Sequence, residues 1–278
     1  MARTHERMPG VRERFSGAAV MGLKITRSFS KKSKPPSTDF AGYLSGLAES
    51  PADVGAVAFF DLDRTLISGY SVTAFAFERL RSRSLSMRRM LSQAGSFVGY
   101  GLGRTDVYEL LQTTVRDLAG VSEQEMTEIG ERAFRRRVQG LIYQEARTLI
   151  EMHRRKQHAI AMVTSATRYQ AVPIARDLGV DHIFCTELEV RDGHITGEAN
   201  ACFGAAKRVA AERFVENRGG EMASAFFYSD SSDDLPLLEA VGRPVAANAK
   251  VDLAWLAADR GWPSLVFGQP GDNGRAAA

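Results

Sequence analysis

The stretch Ala56-Val57-Ala58-Phe59-Phe60-Asp61-Leu62-Asp63-Arg64-Thr65-Leu66 decides how the rest of the chain is read. Five apolar residues run together and stop at two acids separated by one residue. A parallel strand buried on both faces has this form, with its carboxyl end opening onto a polar edge. Two other stretches repeat it. Residues 158–163 close on Thr164-Ser165, and Ala225-Phe226-Phe227-Tyr228 closes on Ser229-Asp230. Shorter apolar runs lie at Ile183-Phe184 and Pro244-Val245-Ala246, and helical periodicity fills 170–178, 205–217 and 235–241. Strand alternating with helix predicts an α/β fold built on a parallel sheet with right-handed crossovers.

Residues 69–149 interrupt the alternation. They read as helices over 72–83, 85–98, 106–118, 123–140 and 142–154, without a strong strand. An all-helical insert placed just after the first strand predicts a cap over the sheet's polar edge. The expected domains are therefore an α/β core of residues 39–68 and 150–268, a helical cap of 69–149, a basic arm of 1–38 and a flexible tail of 269–278. A hairpin is also predicted where Leu188-Glu189-Val190-Arg191-Asp192-Gly193-His194-Ile195 alternates apolar and polar residues around Asp-Gly.

Charge is unevenly spread. The chain has 278 residues and a net charge of +3, yet residues 1–38 hold nine Lys or Arg against Glu6 and Glu13. That arm carries +7, so the remaining 240 residues carry −4. The basic character belongs to the arm, and the body gives no reason to expect nucleic acid as a partner. The arm ends in a Ser/Lys/Pro run and reads as a disordered tail. Its alternative is a short amphipathic helix in weak peripheral contact with an anionic membrane surface. The apolar stretch within it is short, interrupted and a poor signal peptide. Cys185 and Cys202 form no CxxC pair and no zinc spacing. They fit a reducing compartment, and the expected location is the cytoplasm.

In open parallel sheets ligands bind beyond the carboxyl ends of the strands, so the polar strand ends should converge there. Asp61 and Asp63 would face opposite ways in a regular strand; if the chain turns after the strand, one can attack while the other handles protons. Asp230 and Asp234 add acids of the kind Mg2+ takes, few in number and completed by water and substrate phosphate. Lys207 could offset charge on a transferring group, and the Thr164 hydroxyl could donate to a phosphate oxygen. Each residue alone also fits an ordinary polar turn, cap or solvated helix position. Gly99-Tyr100-Gly101-Leu102-Gly103 lacks a preceding strand for a dinucleotide loop and reads as a turn, and His194 reads as a solvated turn residue.

Phe59-Phe60-Asp61-Leu62-Asp63-Arg64-Thr65-Leu66 resembles the first motif of the haloacid dehalogenase superfamily, in its phosphoserine phosphatase-like branch with a helical cap. Val163-Thr164-Ser165-Ala166 resembles the second motif, Lys207 in Phe203-Gly204-Ala205-Ala206-Lys207 the third, and Ser229-Asp230-Ser231-Ser232-Asp233-Asp234-Leu235-Pro236 the fourth. The resemblance covers residues 55–268 and implies a Rossmann-like core. It implies Asp61 as nucleophile, Asp63 as general acid and then base, and Thr164 and Lys207 on the phosphoryl group. Asp61, the Asp63 backbone carbonyl and Asp230 would hold Mg2+, with Asp234 bonded outside the metal's ligands. The second motif offers Thr164 or Ser165; Thr164 is preferred because it ends the predicted strand. Asp233 stands beside Asp234 as an alternative. The expected activity is Mg2+-dependent hydrolysis of a small phosphorylated metabolite through an aspartyl-phosphate. A phosphotransferase or mutase, or a non-catalytic phosphate-binding protein recruited to membranes by the arm, are the alternatives.

Overall fold

The computed structural model describes residues 35–51, 53–82 and 115–270. The basic stripe of the arm, the helix expected over 85–98, most of that over 106–118, the 99–103 glycine turn and residues 271–278 lie outside the described residues. Seven strands form one sheet: β1 (Val57–Phe60), β2 (Ala159–Thr167), β3 (His182–Arg191), β4 (His194–Asn200), β5 (Phe226–Ser229), β6 (Arg243–Ala247) and β7 (Ser264–Leu265). Their order is β4-β3-β2-β1-β5-β6-β7, parallel throughout except for the antiparallel β3–β4 pair. The helices are α1 (Phe40–Glu49), α2 (Ser71–Arg81), α3 (Glu123–Ala133), α4 (Gln144–Arg155), α5 (Arg168–Leu178), α6 (Ala205–Asn217), α7 (Leu235–Leu238) and α8 (Val251–Arg260).

The parallel α/β sheet expected from the apolar runs is thus formed, and β1 at its centre shows why. All four residues of β1 are buried. Ala58 and Phe60 face a cluster built with α1, α4 and α5, while Val57 and Phe59 face one built with α6, α7 and α8. A strand covered on both faces needs apolar residues at every position. Each buried Phe contributes about 1.5–3 kcal/mol. Phe60 stacks on Tyr228 of β5 at a ring distance of 4.7 Å. The Tyr228 hydroxyl bonds Tyr43 of α1 and Nε2 of His153 on α4, both at 2.8 Å, which anchors two helices to the sheet. His153 meets His158 through their Nδ1 atoms at 2.8 Å. One ring must donate and the other accept, and burial, the main cause in both, lowers the pKa of each.

Some boundaries differ from the sequence reading. β3 runs well beyond Ile183-Phe184, because its polar continuation pairs with β4 rather than burying two faces. The helix expected over 123–140 stops at Ala133 and continues as a π turn, Phe134–Val138, and a 3-10 turn, Gln139–Leu141. That expected over 235–241 ends at Leu238. α4 starts at Gln144 and packs on α1 and β2. The Asp192-Gly193 hairpin forms with φ of 51° and 73°, the positive pair a two-residue turn of this twist requires.

The insert is fastened to this hairpin. Residues 120–123 lie along β4, with Gly120 N–H donating to Ile195 O (2.8 Å), Ile195 N–H to Val121 O (2.9 Å) and Glu123 N–H to Gly193 O (2.9 Å). Phe75, Met126 and Ile129 pack on Tyr169, Leu188 and Ile195 beneath. α3 crosses α5 at Gly130, where a Cβ would sit 1.9 Å from the Tyr169 carbonyl oxygen, so glycine alone permits the approach. No helix among the described residues is long and apolar enough to cross a membrane.

Candidate active site

The site is built where β1 and β5 end together. Phe60 pairs with Tyr228, and the Asp61 N–H extends the ladder by donating to Tyr228 O at 2.9 Å. The chain then turns sharply. The Leu62 carbonyl accepts from Thr65, Leu66 and Ile67 N–H at 3.3, 2.9 and 3.2 Å, and Arg64 takes φ of 63°. That conformation is costly for a side chain with a Cβ, and Asn248 supports it by donating from Nδ2 to the Arg64 carbonyl at 3.1 Å. The turn gives the two acids different surroundings. Asp61 stays buried at the sheet edge. Asp63 is carried to the start of α2, where its Oδ1 accepts the Ser71 N–H at 2.7 Å.

Lys207 reaches this edge from the first turn of α6, behind Gly204, whose φ of 52° turns the chain into the helix. Its ammonium is buried between two carboxylates. It donates to Asp61 Oδ1 at 2.7 Å and lies 2.8 Å from Asp234 Oδ1 and 2.9 Å from Oδ2. Ser229 adds a hydroxyl to Asp234 Oδ2 at 2.7 Å. Asp233 instead accepts from Ser231 Oγ at 3.0 Å, so Asp234 is the acid that joins the cluster. Asp230 is also buried and accepts from Arg64 Nε at 2.9 Å.

Burial pushes the Asp61 carboxyl up to about 7 against the opposing pull of Lys207. It pushes Asp63 up to about 6, against the Ser71 hydrogen bonds. Asp230 is raised as well, chiefly by burial. Burial alone would lower the Lys207 pKa, but Asp234 and Asp61 outweigh it and hold the ammonium charged.

Thr164 needs a correction. β2 does not end there but runs to Thr167, with its register against β3 shifting between Val163 and Thr167. Such a shift re-aims side chains locally. Thr164 is buried, and its Oγ1 accepts from Ala166 N–H at 3.1 Å, which leaves the hydroxyl proton able to donate. Cys202 lies within the field of Lys207, Asp234 and Asp61, and its N–H donates to Thr186 Oγ1 at 3.2 Å. Burial pushes the Cys202 thiol up to about 12. Ser165 is half-buried, and its carbonyl accepts from Thr186 Oγ1 at 2.7 Å. Ser71, Asn248 and Gln170 escaped the sequence reading, and Arg64 and Ser229 lay within its motifs without a role.

Among the described residues, no three His, Cys, Asp or Glu side chains are grouped to hold a metal ion. The proposed Mg2+ ligands include only two side-chain carboxylates, Asp61 and Asp230, and Mg2+ keeps several waters. Asp61 and Asp234 share Lys207 and Asp230 pairs with Arg64, while Asp63 has no cation in direct contact among the described residues. Two carboxylates and one backbone carbonyl are the hard oxygen donors that Mg2+ takes, so the residues present fit it.

A family model of haloacid dehalogenase-like hydrolases matches residues 58–239, which bracket every one of these groups except Asn248. The chain belongs to that family. This hydrolase is 33% identical over 217 residues to a probable phosphatase of Mycobacterium tuberculosis, covering 77% of this chain and 76% of the relative. It is 28% identical over 218 residues to a histidinol-phosphatase of Neisseria meningitidis, covering 76% and 98%. A solved phosphoserine phosphatase, an analogue of its phospho-aspartyl intermediate, shares the fold with a TM-score of 0.56 at 19% identity, over 77% of this chain and 93% of that one. The hydrolase is a phosphatase acting on phosphoric monoesters, and the non-catalytic alternative is set aside.

Proposed function

We propose that the hydrolase cleaves a small phosphorylated metabolite in two steps, through an aspartyl-phosphate on Asp61 and with Mg2+ as cofactor. The observation that carries this reading is the separation of the two acids. Asp61 is buried with Oδ1 held by Lys207, while Asp63 sits two residues on against the start of α2. Oδ2 of Asp61 is then the oxygen that attacks phosphorus. As the bond to the leaving oxygen breaks, Asp63 gives that oxygen its proton. Asp63, now a carboxylate, takes a proton from water as the water attacks phosphorus. The bond to Asp61 breaks, inorganic phosphate leaves, and both acids return to their starting states.

Lys207 and Thr164 would bind the phosphoryl oxygens, with Ser165 next to Thr164 on the same strand. Asp234, bonded to Lys207 and Ser229, holds the ammonium in place. Asp61, the Asp63 carbonyl and Asp230 would hold Mg2+, which when bound offsets charge on the phosphoryl group. The reading extends to the cytoplasm, supported by two free, buried cysteines. The basic arm remains a proposed weak contact with anionic membrane and takes no part in the chemistry.

Purified full-length protein should release phosphate from p-nitrophenyl phosphate with Mg2+, lose at least about tenfold on chelation, and recover on Mg2+ addition. Full turnover after chelation would remove the metal from the account. Transfer of the phosphoryl group to an added alcohol in place of phosphate release would favour a phosphotransferase. A panel of phosphomonoesters, including histidinol phosphate and phosphoserine because of the relatives' names, then narrows the substrate.

A further inference from the structure

Asp63 is held by more than its own turn. Ser71, which opens α2, is buried and gives Asp63 its N–H at 2.7 Å. Behind Ser71 stands Gln170, from the first turn of α5, with Nε2 3.3 Å from Ser71 Oγ. The direction of this chain follows from donor and acceptor chemistry. The Gln170 amide oxygen accepts from the Thr167 N–H at 2.9 Å and the Thr167 hydroxyl at 2.8 Å. A backbone N–H can only donate, so the oxygen must face Thr167 and the NH2 must face Ser71. Gln170 thus holds the side chain of the residue whose N–H holds Asp63.

Part of this is ordinary helix capping. A side chain reaching back to the N-cap N–H is half of a capping box, a role that Glu fills as well as Gln. The NH2 arm is different. It points away from the cap, it is buried, and only Gln supplies it together with the capping oxygen.

We infer that Gln170 is a positioning residue for the reaction, acting through Ser71 to hold the Asp63 carboxyl where it meets the leaving oxygen. The arrangement also joins the insert to the core, since Ser71 opens the first helix after β1 and Gln170 follows β2. The inference rests on Asp63 being the proton donor of the proposed mechanism, and the experiment separates the two.

Two variants divide the roles. Gln170→Glu keeps the capping oxygen and loses the donor. Gln170→Met removes both without adding charge. Each is assayed with a series of substituted phenyl phosphates, from p-nitrophenyl to p-methoxyphenyl, beside wild type and Asp63→Asn. Melting temperatures confirm that the variants fold, and Gln170→Glu carries the test if Gln170→Met does not. A misplaced acid should hurt poor leaving groups most. The expected result is about a tenfold loss of kcat/KM for p-methoxyphenyl phosphate, little loss for p-nitrophenyl phosphate, and a steeper dependence on leaving-group pKa. Asp63→Asn should steepen it further. If Asp63→Asn is steep while both Gln170 variants keep the wild-type slope, or lose activity uniformly, Gln170 is only a cap and the inference is overturned. If Asp63→Asn itself keeps the wild-type slope, the assignment of Asp63 as proton donor fails and takes the inference with it.

Discussion

Asp61→Asn should lower kcat by about 10⁴ or more, the scale on which deletion of a nucleophile acts, without lowering the melting temperature. The two expectations share one cause. Asp61 is buried at the sheet edge, and burial disfavours its ionised form. An amide of the same shape escapes that cost, and Lys207 keeps Asp234 as a partner. The variant therefore loses the attacking oxygen while the fold loses nothing, as expected where activity is held at the expense of stability. Steady-state kinetics with p-nitrophenyl phosphate and a thermal melt check both. Near-normal Mg2+-dependent turnover would move the nucleophile elsewhere, and a large drop in melting temperature would make Asp61 a structural acid.

Lys207→Ala should lose at least about 10²-fold in kcat, as for removal of one preorganised charge at a developing anion. Here stability should fall too, by about 3–5 kcal/mol, because removing one partner strands buried charge. Asp61 and Asp234 are the stranded groups. A double variant, Lys207→Met with Asp234→Asn, takes out one stranded acid and fills the ammonium's space with a neutral chain. It should recover much of the stability, read by urea denaturation, and none of the turnover. Recovery of both would mean that Lys207 acts only by keeping the fold intact. Near-normal turnover in Lys207→Ala would remove it from the site.

The sheet was legible because its central strands have nowhere polar to point. Val57, Ala58, Phe59 and Phe60 are each covered by one helical layer or the other, so burial on both faces is written directly as an apolar run. The polar residues at the ends of β1 and β5 were legible for the same reason, since Asp61 and Asp230 stand out against such runs. Thr164 was found by a weaker argument, that it ends a strand; β2 continues past it, and a register shift against β3 sets its surroundings instead. Lys207 was legible only as a cation able to offset charge, with its place in the site supplied by the family resemblance, since one Lys in an otherwise ordinary helix carries no sign of burial. Asp233 and Asp234 could not be told apart until the 3-10 turn over Ser232–Asp234 aimed one at Lys207 and left the other on Ser231. The pairs Arg64–Asp230 and Gln170–Ser71 join residues 166 and 99 positions apart. Such contacts depend on how the β1 turn and the α5 cap are placed in space, which no local pattern encodes.

The central claim is that phosphate passes through a covalent bond to Asp61, and Asp63→Asn exposes it most directly. This variant keeps the attacking oxygen and the lysine beside it, but loses the group that activates water. With p-nitrophenyl phosphate, whose leaving group needs little protonation, attack should proceed while hydrolysis of the phosphoenzyme stalls. Mass spectrometry of the acid-quenched variant should show about 80 Da added to the peptide containing Asp61, in the presence of Mg2+ and not after chelation, and absent when Asp61→Asn is added. A label on a different residue, or its persistence in the Asp61→Asn background, would contradict the account.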